Sequence, residues 1–416
     1  MLISRREFGG LAVALGSQAR RLFGAVGIDE TLRDGINKRK IPAVVGMVAT
    51  GDKITYAGAF GKRDSASGID VKTDSIFAIA SMTKAVTSVA AMQLVERGKL
   101  TLDEPVSKHL PELAKLDVLE GFDSAGKPIL HPATKPVTLR RLLTHTSGFA
   151  YDTWDANMMK YNQLAGSPPP NGAPVVTPLI FEPGTRWQYG TSLDWTGKLV
   201  ETVSGMTLEQ YFQTNILKPL GMNDTSFIVP AEKFERLVSN YTRQPDGSLK
   251  DAPRALPPAP AFFNGGGGLN STAPDYIRFC QMILRRGRGP ANEMLLQPKT
   301  VDQMASNQIG AARAGILKTY RPAISADVDF HPGSTDKFGL GFLINTTAYN
   351  GGRSAGSLAW AGVFNTFYWI DPHRHLCAVI MMQFLPFVDP EGVGMLHDFE
   401  RAVYASLDQK GVKANA

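Results

Sequence analysis

A chain that begins and ends with strand-forming segments has to bring those ends together. Ala43–Thr50 is apolar and strand-like, Gly51-Asp52 makes a turn, and Lys53–Phe60 returns, which reads as a β-hairpin. Near the other end, Ser357–Ile370 alternates like a strand, Asp371-Pro372 turns it, and Leu376–Gln383 comes back. A two-stranded hairpin is marginal by itself in water. The two pairs are therefore expected to join in one antiparallel sheet. Residues from about 100 to 330 are helical and loop-rich instead, with proline clusters at Pro168–Pro170 and Pro257–Pro260. The expected fold class is α+β, with a discontinuous α/β lobe from residues 23–99 and 331–416 and an inserted all-helical lobe at 100–330. The cleft between the lobes is the default place for a site.

Size and composition agree with two lobes, or with one domain carrying a large insertion. The chain has 416 residues, beyond the roughly 250–300 at which one core stops growing. It is 43% hydrophobic and 20% charged, an ordinary globular balance. No run reaches the ~18 apolar residues that a membrane-spanning helix needs. Two cysteines cannot build a disulfide framework or a four-thiolate zinc site, and HExxH and paired CxxC are absent. Cys280 and Cys377 lie in apolar runs and read as buried small residues. The net charge of +6 is partly terminal, since Arg5, Arg6, Arg20 and Arg21 face only Glu7 in residues 1–22. The remainder carries no basic stripe, so nucleic acid is not an expected partner.

Ser4-Arg5-Arg6-Glu7-Phe8 resembles the bacterial twin-arginine export motif, followed by a short apolar run and the small-residue site Ser17-Gln18-Ala19. Residues 1–22 read either as that signal, giving a periplasmic or secreted protein, or as an N-terminal extension of a cytoplasmic one. Residues 27–40 read as an amphipathic helix and roughly 393–407 as a final helix.

Three segments carry chemistry. Ser81-Met82-Thr83-Lys84 opens a helix running to about Arg97, with Gly98 as its stop. A spacing of three places Ser81 and Lys84 on one helix face. Serine needs an adjacent base to become a nucleophile, and a helix start offers N–H groups to developing negative charge. Tyr189 follows the turn Pro183-Gly184 on a loop before a helix resumes near Leu193, where its phenol can project into a cleft. Trp360-Ala361-Gly362 lies on a strand, and glycine permits close approach there. The following amide, of Val363, is positioned to serve as an oxyanion donor.

Together with Leu142–Gly148, Leu217–Met222 and Gly265–Gly268, these motifs resemble the serine β-lactamase and D,D-peptidase-like hydrolases over residues 27–405. Within that group the chain is most similar to the bacterial family VIII carboxylesterases. The resemblance implies a β-lactamase/transpeptidase-like fold with the site between sheet and helical lobe. It implies a Ser81 acyl-enzyme, Lys84 and Tyr189 as the acid–base pair, and the Ser81 and Val363 amides as oxyanion donors. No metal or organic cofactor is required, and the partner is a small-molecule ester. His145 is implied to be structural. Two departures concern substrate. Thr191 stands where β-lactamases usually have asparagine, and Trp360 where they have lysine. Both favour neutral esters, with Trp360, Gly362 and Thr191 in substrate binding. The readings kept beside carboxylesterase are a β-lactamase or D,D-peptidase, an acyltransferase of the same fold and a non-catalytic binding module. Gly352-Arg353-Ser354-Ala355-Gly356 also matches the G-x-S-x-G elbow of α/β-hydrolases, but a strand follows it where that elbow needs a helix. The oligomeric state is left open.

Overall fold

The computed structural model describes residues 27–166, 173–252 and 254–409. The export-like segment at 1–22 and Pro168–Pro170 lie outside the described residues. Five helices matter for the site: α1 (27–38), α2 (Thr83–Glu96), α3 (Ser192–Ser204), α4 (Ala273–Leu284) and α5 (Pro390–Gln409). The main sheet has seven strands: β1 (Ala43–Thr50), β2 (Ile54–Gly61), β3 (Lys337–Phe338), β4 (Leu343–Ile344), β5 (Leu358–Gly362), β6 (Thr366–Asp371) and β7 (Leu376–Met381). Their order is β3-β4-β5-β6-β7-β1-β2. The expected union of the chain ends is the antiparallel pairing of β1 with β7, Val45 opposite Met381 and Thr50 opposite Leu376.

Both joining strands are buried on both faces, which is why each reads as a nearly continuous apolar run. On one face α1 and α5 close over Gly46, where a Cβ would lie 3.1 Å from Leu32 Cδ1 and 2.9 Å from Phe399 Cε2. On the other, Tyr276 of α4 packs on Tyr368 of β6 with ring centroids 5.1 Å apart. Cys280 and Cys377 are buried between α4 and β7, and burial pushes both thiols up.

The architecture departs from the sequence reading in three places. The strand expected over Ser357–Ile370 is two strands, β5 and β6, joined by a tight turn. Asn365 takes the left-handed conformation there (φ +61°), and its Nδ2 donates to the Phe384 and Pro386 carbonyls at 2.8 Å each. Alternation continues through a short hairpin, so pattern alone does not reveal the turn. The middle segment is not all helical either. It contains the hairpin Asp117–Phe122/Pro128–Pro132, and its Tyr241–Arg243 strand pairs with Leu249–Asp251 and Phe384–Leu385. Finally α4, expected in the inserted lobe, packs on β1, β6 and β7. A single hydrophobic cluster runs from Ile28 to Tyr404, so the insertion shares the core of the sheet.

The G-x-S-x-G segment is structural. Its Arg353 makes a buried two-pronged pair with Glu400 of α5 (Nη2–Oε2 2.7 Å, Nε–Oε1 2.9 Å). Ser354 donates its backbone N–H to Asp371 Oδ2 at 2.8 Å, and the same oxygen accepts from Tyr404 Oη. Burial pushes the Glu400 carboxyl up, but Arg353 outweighs it and holds the group below its ordinary value. Breaking one side of a buried pair leaves an uncompensated charge and costs about 3–5 kcal/mol. Glu400→Leu is therefore expected to lower stability by about that amount in urea unfolding, whereas the double variant Arg353→Leu/Glu400→Leu recovers much of the loss. Equal stability of wild type and Glu400→Leu would contradict this placement.

Candidate active site

The site is built where α2 begins. Phe77-Ala78 pairs with Asn270-Ser271, and a 3-10 turn over Ala80–Met82 leads into the helix. Ala80 has φ +43°, a left-handed conformation that costs a non-glycine residue roughly 1–2 kcal/mol. Such strain persists where surrounding contacts hold it. Here the Tyr276 hydroxyl donates to Met82 O at 2.9 Å, and Leu269 N–H donates to Thr83 Oγ1 at 3.1 Å. α2 is buried from Thr83 through Leu94, so Lys84 has no route to solvent along the helix.

Lys84 is 2% exposed. Its Nζ lies 3.1 Å from Ser81 Oγ, 3.2 Å from Tyr151 Oη and 2.5 Å from the Gly266 carbonyl oxygen. An ammonium has three N–H donors, and each has a partner. The Gly266 carbonyl reaches Lys84 because the glycine run lies flush on α3. A Cβ on Gly265 would sit 2.7 Å from Leu193 O, and one on Gly266 would sit 1.8 Å from Asp194 Oδ1. Asp194, in the first turn of α3, is buried beside this centre. Burial pushes its carboxyl up to about 6, against the pull of Lys84. Tyr151 faces both Lys84 and Asp194, and burial together with that carboxyl pushes its phenol well up.

Tyr189 adjoins the same centre differently. Lys84 Nζ stands over its ring, 4.9 Å from the centroid. The Tyr189 hydroxyl accepts from Trp360 Nε1 at 3.3 Å. The phenol hydrogen-bonded to Lys84 is thus Tyr151, while Tyr189 presents its face to the ammonium and its hydroxyl to the indole. Both tyrosine loops are set by one close approach, since a Cβ on Gly190 would lie 2.1 Å from Phe149 O. Gln188 N–H also donates to His145 O. The His145 ring packs 4.8 Å from that of Tyr189, and burial, then Lys84, hold its imidazole well below its ordinary pKa. A neutral ring in an aromatic cage agrees with a supporting role.

The third motif meets the first at Gly362. A Cβ there would fall 2.3 Å from Ile79 O and 2.3 Å from Thr366 Oγ1, so only glycine lets the end of β5 abut the turn holding Ser81. Ser81, Tyr189, Trp360 and Val363 line one narrow pocket with Trp154, Leu317, Phe330, Ala361 and Phe387. Among the described residues, no charged side chain lines it. Thr191 is half-buried in the turn that opens α3 and is not among the lining residues.

Tyr151 and Asp194 were not singled out in the sequence. Neither has a local signature, because each becomes significant only through residues far along the chain. The available signal was Gly265–Gly268, whose lack of side chains invites close approach by another segment.

Gly362→Ala is expected to force β5 away from residues 79–81. Overpacking of this kind costs about 1–3 kcal/mol, and small displacements of reacting groups cost up to about a hundredfold in rate. Esterase assays paired with thermal melting are expected to find a folded variant with kcat reduced at least about tenfold. Full activity would mean that β5 does not position the serine.

Known proteins resemble this chain along nearly its whole length. Residues 28–396 match the family model described as Beta-lactamase. Monacolin J acid methylbutanoyltransferase of Aspergillus terreus is 32% identical over 402 residues, covering 92% of this chain and 96% of that protein. Lovastatin esterase of Penicillium rubens is 33% identical over 377 residues, covering 86% and 92%. The solved structure of unliganded Simvastatin Synthase (LovD) from Aspergillus terreus superposes with a TM-score of 0.76 at 30% identity, covering 93% of this chain and 99% of that one. With the serine, the lysine and the sheet-edge glycine meeting as described, the chain belongs to the beta-lactamase family.

Proposed function

We propose that this protein processes neutral carboxylic esters through a Ser81 acyl-enzyme, passing the acyl group to water or to an alcohol. The observation that carries this reading is a Ser81–Lys84 hydrogen bond opening into a pocket walled by aromatic and aliphatic side chains, with no cation to pair with a substrate carboxylate. In this mechanism Lys84 takes the Ser81 proton as Oγ attacks the ester carbonyl. The Ser81 and Val363 amides hold the oxyanion. Tyr189, oriented by the Trp360 indole, passes a proton to the leaving alcohol. Water or a second alcohol then attacks the acyl-enzyme, with the Lys84–Tyr189 pair acting again. Trp360 borders the substrate, Gly362 acts by letting β5 approach the serine turn, and Thr191 lies outside this pocket.

Hydrolysis and transfer differ only in the acceptor. Relatives whose names describe a methylbutanoyltransferase and an esterase support both outcomes for this chain. The narrower expectation of a family VIII carboxylesterase is one half of this reading. Transfer is favoured by the apolar pocket wall, which disfavours bound water and suits an apolar alcohol. The absence of a lining cation argues against a primary β-lactamase or D,D-peptidase role.

Ser81→Ala is expected to abolish p-nitrophenyl ester turnover, because loss of such a serine costs on the order of 10⁶ in kcat. Ser354→Ala is expected to retain most activity, and the reverse pattern would sink the mechanism. In wild type, kcat/KM for p-nitrophenyl acetate should exceed that for a chromogenic cephalosporin, and an added apolar alcohol should divert acyl product into a new ester. A preference for the cephalosporin would reject the neutral-ester reading.

A further inference from the structure

Lys84 serves as a base only as a free amine, yet its surroundings suit an ammonium. The Gly266 carbonyl can only accept, so it holds one N–H permanently. Ser81 Oγ and Tyr151 Oη take the other two directions. The proton that Lys84 must shed therefore leaves toward one of these oxygens. Toward Ser81 it would oppose the reaction. Toward Tyr151 it meets a buried phenol on which the Asp194 carboxyl also acts.

Asp194 has an unexplained feature. Its Oδ1 is buried and accepts no hydrogen bond within ordinary hydrogen-bonding distance among the described residues, although the Gly266 amide and the Tyr151 hydroxyl act on the carboxyl from nearby, and a buried acid oxygen left without a close donor is costly. Structure has been arranged to admit it, since a single Cβ on Gly266 would occupy its place. An orphaned acid oxygen next to a buried base is explained if it carries a proton for part of the cycle.

Resting on the acyl-enzyme reading above, we propose that Asp194 is a positioning residue that takes the surplus proton of Lys84 through the Tyr151 hydroxyl. Lys84 gives one proton to Tyr151 Oη while Tyr151 gives its own to Asp194. One N–H bond breaks on the lysine and one O–H bond forms on the acid. An ammonium–carboxylate pair becomes an amine–carboxylic acid pair, with no change in net charge and no proton drawn from solvent. Asp194 then keeps its proton through acylation and deacylation while Lys84 cycles between amine and ammonium. Burial, which raises the Asp194 carboxyl, favours this neutral pair.

The groups facing Asp194 are Lys84 from α2, Tyr151 from the loop before Asp155 and the Gly266 amide, with Tyr189 acting on it through Tyr151. The active form holds one proton across Lys84 and Asp194. A second proton, added as pH falls through about 6, leaves an ammonium with no acceptor, so activity is lost below that point.

The test is the pH profile of kcat/KM for p-nitrophenyl acetate in wild type, Ser81→Ala, Asp194→Asn, Tyr151→Phe and the double variant. Wild type should show an acid limb near 6. Asp194→Asn and Tyr151→Phe should each lose about a hundredfold in kcat at pH 7 with KM within about threefold, in line with loss of proton-transfer help. Their acid limb should move to higher pH, because the lysine proton must then leave to bulk water. The double variant should be no worse than the poorer single one, as expected for two members of one relay. A limb that stays near 6 in either single variant, or losses that multiply in the double, would overturn the relay. Tyr151→Phe carries the test if Asp194→Asn fails to fold. An active Ser81→Ala would instead reject the acyl-enzyme itself, so the two failures are distinguishable.

Discussion

A lysine ammonium withdrawn from water loses several kcal/mol of solvation unless its N–H groups find acceptors. Lys84 finds them in its own helix, in the loop carrying Tyr151 and in the glycine run at Gly266. Those segments cannot shift independently without leaving a buried donor unpaired. The same residue thereby ties the start of α2 to the inserted region and sets where Ser81 stands. A surface lysine would impose none of this, because water would satisfy it in any arrangement.

Glycine provides the closeness this arrangement needs. Gly190, Gly265, Gly266 and Gly362 all lie where a single added carbon would collide with backbone or with a buried carboxylate. All four contacts join parts of the chain that are distant in sequence. They let the sheet edge, the helix start and the tyrosine loops share one hydrophobic cluster. Of the two arrangements that length allowed, two lobes or one domain with a large insertion, the shared cluster fits the second, because the inserted region completes the core of the sheet. The strained Ala80 belongs to the same design, since only a surround held on several sides maintains a left-handed alanine before the serine.

Aromatic packing decides what kind of substrate this centre suits. Tyr189 lies within about 5 Å, centroid to centroid, of His145, Trp154 and Trp360. These rings form a wall with few polar groups and fix the phenol that adjoins Lys84. A family fold hosts many chemistries, so membership in the beta-lactamase family does not determine the acyl acceptor. In the proposed reading, that choice follows from how the apolar wall competes water against an alcohol.

Local relationships were readable directly in the residues. Ser81 and Lys84 share a helix face because three residues make nearly one turn, and β1 and β7 were recognisable as buried apolar runs. The union of the chain ends followed from the instability of isolated hairpins. Of the residues identified by motif, Trp360, Ala361 and Tyr189 line one pocket with Ser81, while Gly362 abuts the turn that holds it. What tertiary structure decided was partnership across long separations. It gave the Lys84 hydrogen bond to Tyr151 and turned the Tyr189 hydroxyl to Trp360. It brought Asp194 into a space left by Gly266, and it moved α4 onto the sheet. Sequence patterns encode burial and period, which depend on neighbours along the chain. Which buried polar group meets which is set by the packing of segments far apart, and no spacing in the chain carries that distance.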